Sequence, residues 1–94
     1  MTERIFQQVV TEAARLGGWL TYHTHDSRRS EPGFPDLALV RDRVVFAALK
    51  TEKSKPTPEQ LQWLERLEQA GAEVHLWRPQ YWPQIERVLV RRAA

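Results

Sequence analysis

Two short apolar runs, Asp36 to Val40 and Val44 to Leu49, stand either side of Arg41-Asp42-Arg43, and no other feature constrains the fold as tightly. Each run has the length of a strand, and a short polar link between two strands reads as a hairpin turn. A three-residue loop sets Val40 opposite Val44. Pairing outward from there brings Asp36 opposite Ala48. Directly opposed residues share a face, and Lys50 shares the face of position 48 because side chains alternate along a strand. The hairpin therefore gathers Asp36, Ala48 and Lys50 at one end of one face. A two-residue loop would slip the register by one and scatter them.

The flanking sequence supplies elements to pack on such a hairpin. Ile5, Phe6, Val9, Val10, Ala13 and Leu16 recur at helical spacing, and Gly17-Gly18 ends that helix. Residues 18–24 (GWLTYHT) are aromatic and β-branched and predict a strand, whereas residues 25–34 (HDSRRSEPGF) predict a loop. Thr57-Pro58-Glu59-Gln60 is a helix start, with Thr57 as N-cap, Pro58 at the first position and Gln60 placed for a capping box; Gly71 is the matching stop. A fourth strand is expected over residues 72–77, and Pro83 opens a last helix carrying Ile85, Val88 and Leu89. The order α-β-β-β-α-β-α, a hairpin first and a helical crossover later, implies an α/β fold with a central mixed sheet flanked by helices. Ninety-four residues are expected to make one domain spanning 1–94.

Composition excludes several function classes. The chain has no cysteine, so neither a disulfide nor a thiolate metal site is available. No apolar run approaches the length of a membrane span, and Met1-Thr2-Glu3-Arg4 lacks a signal-peptide pattern, so a cytoplasmic protein is expected. A net charge of +2 does not identify a partner. The positive residues are nonetheless grouped: Arg28 with Arg29, Lys50 with Lys53 and Lys55, and Arg87 with Arg91 and Arg92.

Carboxylates and a lysine on one face are what phosphodiester hydrolysis uses. Carboxylates and a backbone carbonyl hold Mg²⁺, the metal activates water and polarises a phosphoryl oxygen, and a lysine stabilises charge on the phosphate. Pro35-Asp36, followed by Ala48-Leu49-Lys50, resembles the P-D-x(n)-(D/E)-x-K signature of the PD-(D/E)XK nucleases. The surrounding text, GFPDLALVR, VVFA-x-LKTEK and PTPEQLQWLERLEQAGAEVHLWRP, resembles the small phage-type VRR-NUC domains of that superfamily, from about Glu3 to Leu89.

This resemblance implies a restriction-endonuclease-like fold and Mg²⁺- or Mn²⁺-dependent cleavage of DNA. Small stand-alone members act on branched DNA such as four-way (Holliday) junctions, which implies a homodimer, in a bacterial or phage-infected cell. It assigns metal binding to Asp36 and the Leu49 carbonyl, and the catalytic lysine role to Lys50. The departure is Ala48, which stands where the pattern has an acid and cannot ligate a metal. Losing even outer-shell partners costs metal sites roughly 10–100-fold, so an impaired or inactive enzyme is expected. Intact Asp36 and Lys50 favour a substitution that silences the site over general decay. The alternative is a non-catalytic DNA-binding module with the nuclease fold.

Further candidates surround this centre. Gln60 is accounted for by the capping box with Thr57, yet it also lies inside the apolar arc of Leu61, Trp63, Leu64 and Leu67, where an amide aimed at the sheet needs a partner. In the resembled family a helix glutamine supports the site. The first helix of that family often supplies an acid near the metal, and the resemblance carries this accessory role to Glu3, at the edge of the first helix's apolar arc; an N-terminal glutamate also simply suits the helix dipole. His23, alternating with His25 on the strand leading to the basic loop, is a candidate phosphate contact. Arg28, Arg29, Lys53 and Lys55 are placed to follow a DNA backbone. Trp19, Trp63, Trp77 and Trp82 are read as core or interface residues. Their number in so small a chain points to an exposed aromatic patch and a homodimer.

Overall fold

Val40 pairs with Val44, and the antiparallel ladder runs from there to Leu37 opposite Ala47. In the computed structural model, which describes residues 1–24 and 31–90, this hairpin is the centre of the sheet. The elements are α1 (Glu3–Leu16), β1 (Leu20–His23), β2 (Leu37–Val40), β3 (Val44–Leu49), α2 (Pro58–Gln69), β4 (Glu73–Trp77), a 3₁₀ turn (Pro79–Tyr81) and α3 (Trp82–Leu89). The strands lie in the order β1-β2-β3-β4. β1 joins β2 antiparallel and β4 joins β3 parallel, so the sheet is mixed. A parallel neighbour requires a crossover, which α2 supplies. The predicted order holds, with the 3₁₀ turn added.

One face of the sheet carries the core. Along β2 and β3 the inward set is Leu37, Leu39, Val45, Ala47 and Leu49, all buried, joined by Trp77 of β4. Phe6, Val10 and Ala14, four residues apart on α1, cover this set together with Ile85 and Leu89 of α3. Trp19 closes one end: its Nε1 donates to the Leu89 carbonyl at 3.0 Å, and the Arg41 guanidinium lies 4.4 Å from its ring centre. Arg41 also donates to the Gly17 carbonyl at 2.9 Å. The hairpin turn is thereby fastened to the end of α1. Among the described residues, no helix is long and apolar enough to cross a membrane.

The opposite face departs from expectation. The leucines of α2 were expected to pack as an apolar arc, but no α2 residue is fully buried and Leu61 is 50% exposed. α2 docks instead through a ring cluster, with Phe34 edge-on to Trp63 at 5.1 Å and to Phe46 at 6.1 Å. Leu64 and Leu67 stay half-buried beside it. The helix packs chiefly against β4 and leaves Leu20 (75% exposed), Tyr22 (63%), Val40 and Val44 open on β1, β2 and β3. The expected aromatic patch is corrected accordingly. Trp19 and Trp77 are buried and Trp63 and Trp82 half-buried, and the open apolar surface is mainly aliphatic.

Candidate active site

Asp36 sits one residue before β2, at the end of the hairpin where Ala48 and Lys50 lie. Its backbone is held from the β1 side: the Thr24 N–H donates to the Asp36 carbonyl at 3.2 Å, continuing the ladder beyond His23 and Leu37. Its side chain crosses to β3, where Oδ2 accepts the Leu49 N–H at 2.7 Å. The next amide, Lys50 N–H, donates the other way, to the Trp77 carbonyl at 2.9 Å. A strand residue's N–H and C=O point to the same edge, so the Leu49 carbonyl faces the Asp36 side. Register and hydrogen bonding thus converge on Asp36, the Leu49 backbone and the face of position 48.

Lys50 is 8% exposed, unusually deep for a lysine. Its Nζ donates to Gln60 Oε1 at 3.2 Å. That same oxygen accepts the Thr57 N–H at 2.8 Å, while the Gln60 N–H donates to Thr57 Oγ1 at 3.1 Å. Gln60 Oε1 therefore completes the capping box and also accepts from the lysine, so the amide finds the partner that its place in the arc requires. Ala48 is 2% exposed and presents a methyl group on this same face.

The electrostatics single out two carboxyls. Burial pushes the Asp36 carboxyl above its ordinary value, against the opposing pull of the Leu49 N–H and the Lys50 charge. Burial also raises Glu3, and the Asp36 charge raises it further while Lys50 pulls it down. The first turn of α1 thus brings Glu3 within electrostatic reach of the hairpin site. A part-buried carboxyl with a second one in electrostatic reach forms an environment that favours a proton or a cation.

This has a measurable consequence for Asp36→Asn. Below the ordinary carboxyl value of 3.8 Asp36 is protonated whether folded or unfolded and costs nothing. As pH rises past that value the unfolded chain ionises first and folding is disfavoured. Asp36→Asn is therefore expected to raise Tm at pH 7 by a few degrees, with the gain shrinking as pH is lowered towards 4. Paired melts in a chelator measure it. A gap that does not change with pH, or a less stable Asn protein at pH 7, contradicts the electrostatic account.

The other predicted positions are dispersed. Lys53 and Lys55 are exposed on the loop between β3 and α2. His23 is half-buried at the end of β1, opposite Leu37 and beside the Asp36 backbone. Arg28, Arg29 and His25 lie outside the described residues. Sequence reasoning missed Arg78. Its Nη1 donates to the Thr51 carbonyl at 2.8 Å and the Ser54 carbonyl at 2.7 Å, so it holds the loop carrying the two lysines. A single arginine after a strand gives no signal of such a role. Among the described residues, no cluster of three or more histidine or acidic side chains is arranged to hold a metal.

No family profile matches the sequence, and no curated protein matches it either. Solved structures do. One, described as "VRR_NUC domain", is 27% identical, with a TM-score of 0.75 over 92% of this chain and 91% of its own. Another, described as "VRR_NUC domain protein", is 19% identical, with a TM-score of 0.71 over 94% of this chain and 84% of its own, a likeness of fold. The small α/β architecture, a four-stranded mixed sheet flanked by helices, is that of the VRR_NUC domain.

Proposed function

We propose that this chain is a structure-specific DNA endonuclease domain of the PD-(D/E)XK type, dependent on Mg²⁺ or Mn²⁺ and impaired by Ala48. One observation carries the proposal: Asp36, the Leu49 backbone, Lys50 and Gln60 converge at one end of the hairpin face, on a fold shared with VRR_NUC domains. The donors present suit a divalent metal. Mg²⁺ commonly takes one or two carboxylates and completes its shell with water and substrate phosphate. Asp36, with Glu3 as a second acid, and the Leu49 carbonyl would hold it. When bound, the metal supplies an activated water and polarises the scissile phosphate.

The protein's own groups do the rest. Lys50 is buried and fixed by Gln60, so its ammonium is preorganised to stabilise charge on a phosphate oxygen. Gln60 orients the lysine and Asp36 sets the metal's position. Position 48 should add a third carboxylate and adds a methyl. That buried methyl also favours a second proposal, a DNA-binding module that has kept the fold and lost the chemistry. Cleavage of a four-way junction with Mg²⁺, by this chain beside Ala48→Glu, separates the two.

Two sites are needed to cut two strands of a junction, and the open face of Leu20, Tyr22, Val40 and Val44 supports a homodimer. A second copy seated there would cover apolar surface that α2 leaves wet. Light scattering at tens of micromolar is expected to give a dimer mass, and Tyr22→Asp a monomer mass. A monomer from the unaltered chain, or a dimer indifferent to Tyr22→Asp, removes this interface.

A further inference from the structure

The loop from Thr51 to Pro56 leaves β3 immediately after Lys50 and enters α2 just before Thr57. It is built as a closed turn. The Thr51 N–H donates to Ser54 Oγ at 3.1 Å, and the Ser54 N–H returns to Thr51 Oγ1 at 3.3 Å. Arg78 lies directly after β4, and its Nη1 reaches both ends of that turn, the Thr51 and Ser54 carbonyls. From the 3₁₀ turn, Gln80 Nε2 donates to the Glu52 carbonyl at 3.0 Å. Three successive contacts from the segment after β4 therefore clip one short loop. Lys53 and Lys55 project from it exposed, and among the described residues no carboxylate pairs with either.

We infer that Arg78 is a positioning residue for DNA binding, acting through Lys53 and Lys55 rather than on the nucleic acid itself. The inference rests on the proposed DNA-acting role of the domain. A guanidinium nitrogen that donates to two backbone carbonyls three residues apart ties both ends of the turn to one fixed point. Loop lysines otherwise lose freedom when they meet phosphate, and that cost is removed when the backbone beneath them is held in advance. Lys50, at the root of the same loop, is also held by Gln60, so the loop joins two anchored ends.

A double-mutant cycle on four-way-junction DNA tests this. Arg78→Met keeps most of the side-chain volume and removes the donors. In the natural background it is expected to weaken binding about 5–10-fold at low salt and to flatten the salt dependence, since each lost phosphate contact lowers the slope by about 0.9. In the Lys53→Ala/Lys55→Ala background the same change is expected to cost less than about twofold. Equal losses in both backgrounds overturn the inference, because Arg78 would then act on DNA directly or on the fold at large. Amide exchange gives a second readout without DNA: Thr51 and Ser54 should lose protection in Arg78→Met and recover part of it in Arg78→Lys. Unchanged protection also overturns the inference. Failure of the unaltered chain to bind DNA overturns the proposed function and this inference together, whereas the outcomes above overturn the inference alone.

Discussion

Ala48→Glu is expected to raise Mg²⁺ affinity and DNA cleavage together, by at least about 10–100-fold, the scale on which metal sites respond to loss of supporting groups alone. The new carboxylate would project from β3 onto the face shared by Asp36 and Lys50, giving a metal the further acid that the methyl withholds. In the metal-free protein the same change is unfavourable, since a further carboxylate enters a site where burial already raises Asp36 and Glu3, and the Asp36 charge raises Glu3 further. Mg²⁺ should therefore raise the Tm of Ala48→Glu and leave the Tm of the parent chain nearly unmoved, by simple binding linkage. Lys50→Ala in the glutamate background is expected to lower cleavage by about 10²–10³-fold, the effect of removing one charge-stabilising donor, while metal affinity stays. The parent chain should hold DNA as well as the glutamate protein or better, having one negative charge fewer near the phosphate. Metal binding without cutting in Ala48→Glu would leave the DNA-binding module standing, and absence of metal binding would remove the nuclease assignment of this site.

The second large effect is expected from Gly33→Ala. Gly33 has φ of +90°, and a Cβ built there lies 2.4 Å from the Glu59 carbonyl carbon and 2.7 Å from the Gln60 nitrogen. Those atoms are helix backbone and no rotamer change moves them away. Conformational strain of about 1–3 kcal/mol and overpacking of about 1–3 kcal/mol act together, so the loss is about 2–6 kcal/mol. For a domain of this size that is a fall in Tm of about 10–30 °C. Gly71→Ala is the control. Gly71 also has a positive φ, +96°, but a Cβ there meets nothing within 4 Å, so only strain of about 1 kcal/mol is expected. Equal losses at the two positions would refute the close approach as the cause. Any Gly33→Ala protein that folds should also carry a displaced Asp36, three residues on, and bind metal more weakly.

The hairpin site was legible because a register is a discrete quantity. Three polar residues between two apolar runs leave one pairing that buries Leu37, Leu39, Val45, Ala47 and Leu49 together, and that pairing also sets Asp36 across from Ala48. Gln60 was legible as an amide in an apolar arc. Arg78 was not, since the turn it clips lies 24 to 27 residues earlier and nothing local records the contact. The open face of Leu20 and Tyr22 was hidden for a related reason. Alternation along β1 marks two faces, but which one is covered depends on where α2 comes to rest. That is decided by Phe34, Phe46 and Trp63, three rings far apart in the chain. The aromatic count misled in the same way, because Trp19 and Trp77 found interior partners.

Helix α2 buries none of its residues completely, yet its first turn carries the oxygen that steadies Lys50. Local opening costs least where few apolar contacts must break, so this helix should be the first unit to lift while the layer of α1, α3 and the sheet still stands. When it lifts, Lys50 is unhooked in the same event. The anchoring of Lys50 is therefore set by a subglobal equilibrium rather than by the melting of the whole domain, and heat should free the lysine at temperatures where the core remains intact. A nucleic-acid strand lying across the N-terminal turn of α2 would shift that equilibrium towards the hooked state, coupling the arrival of substrate to assembly of the site.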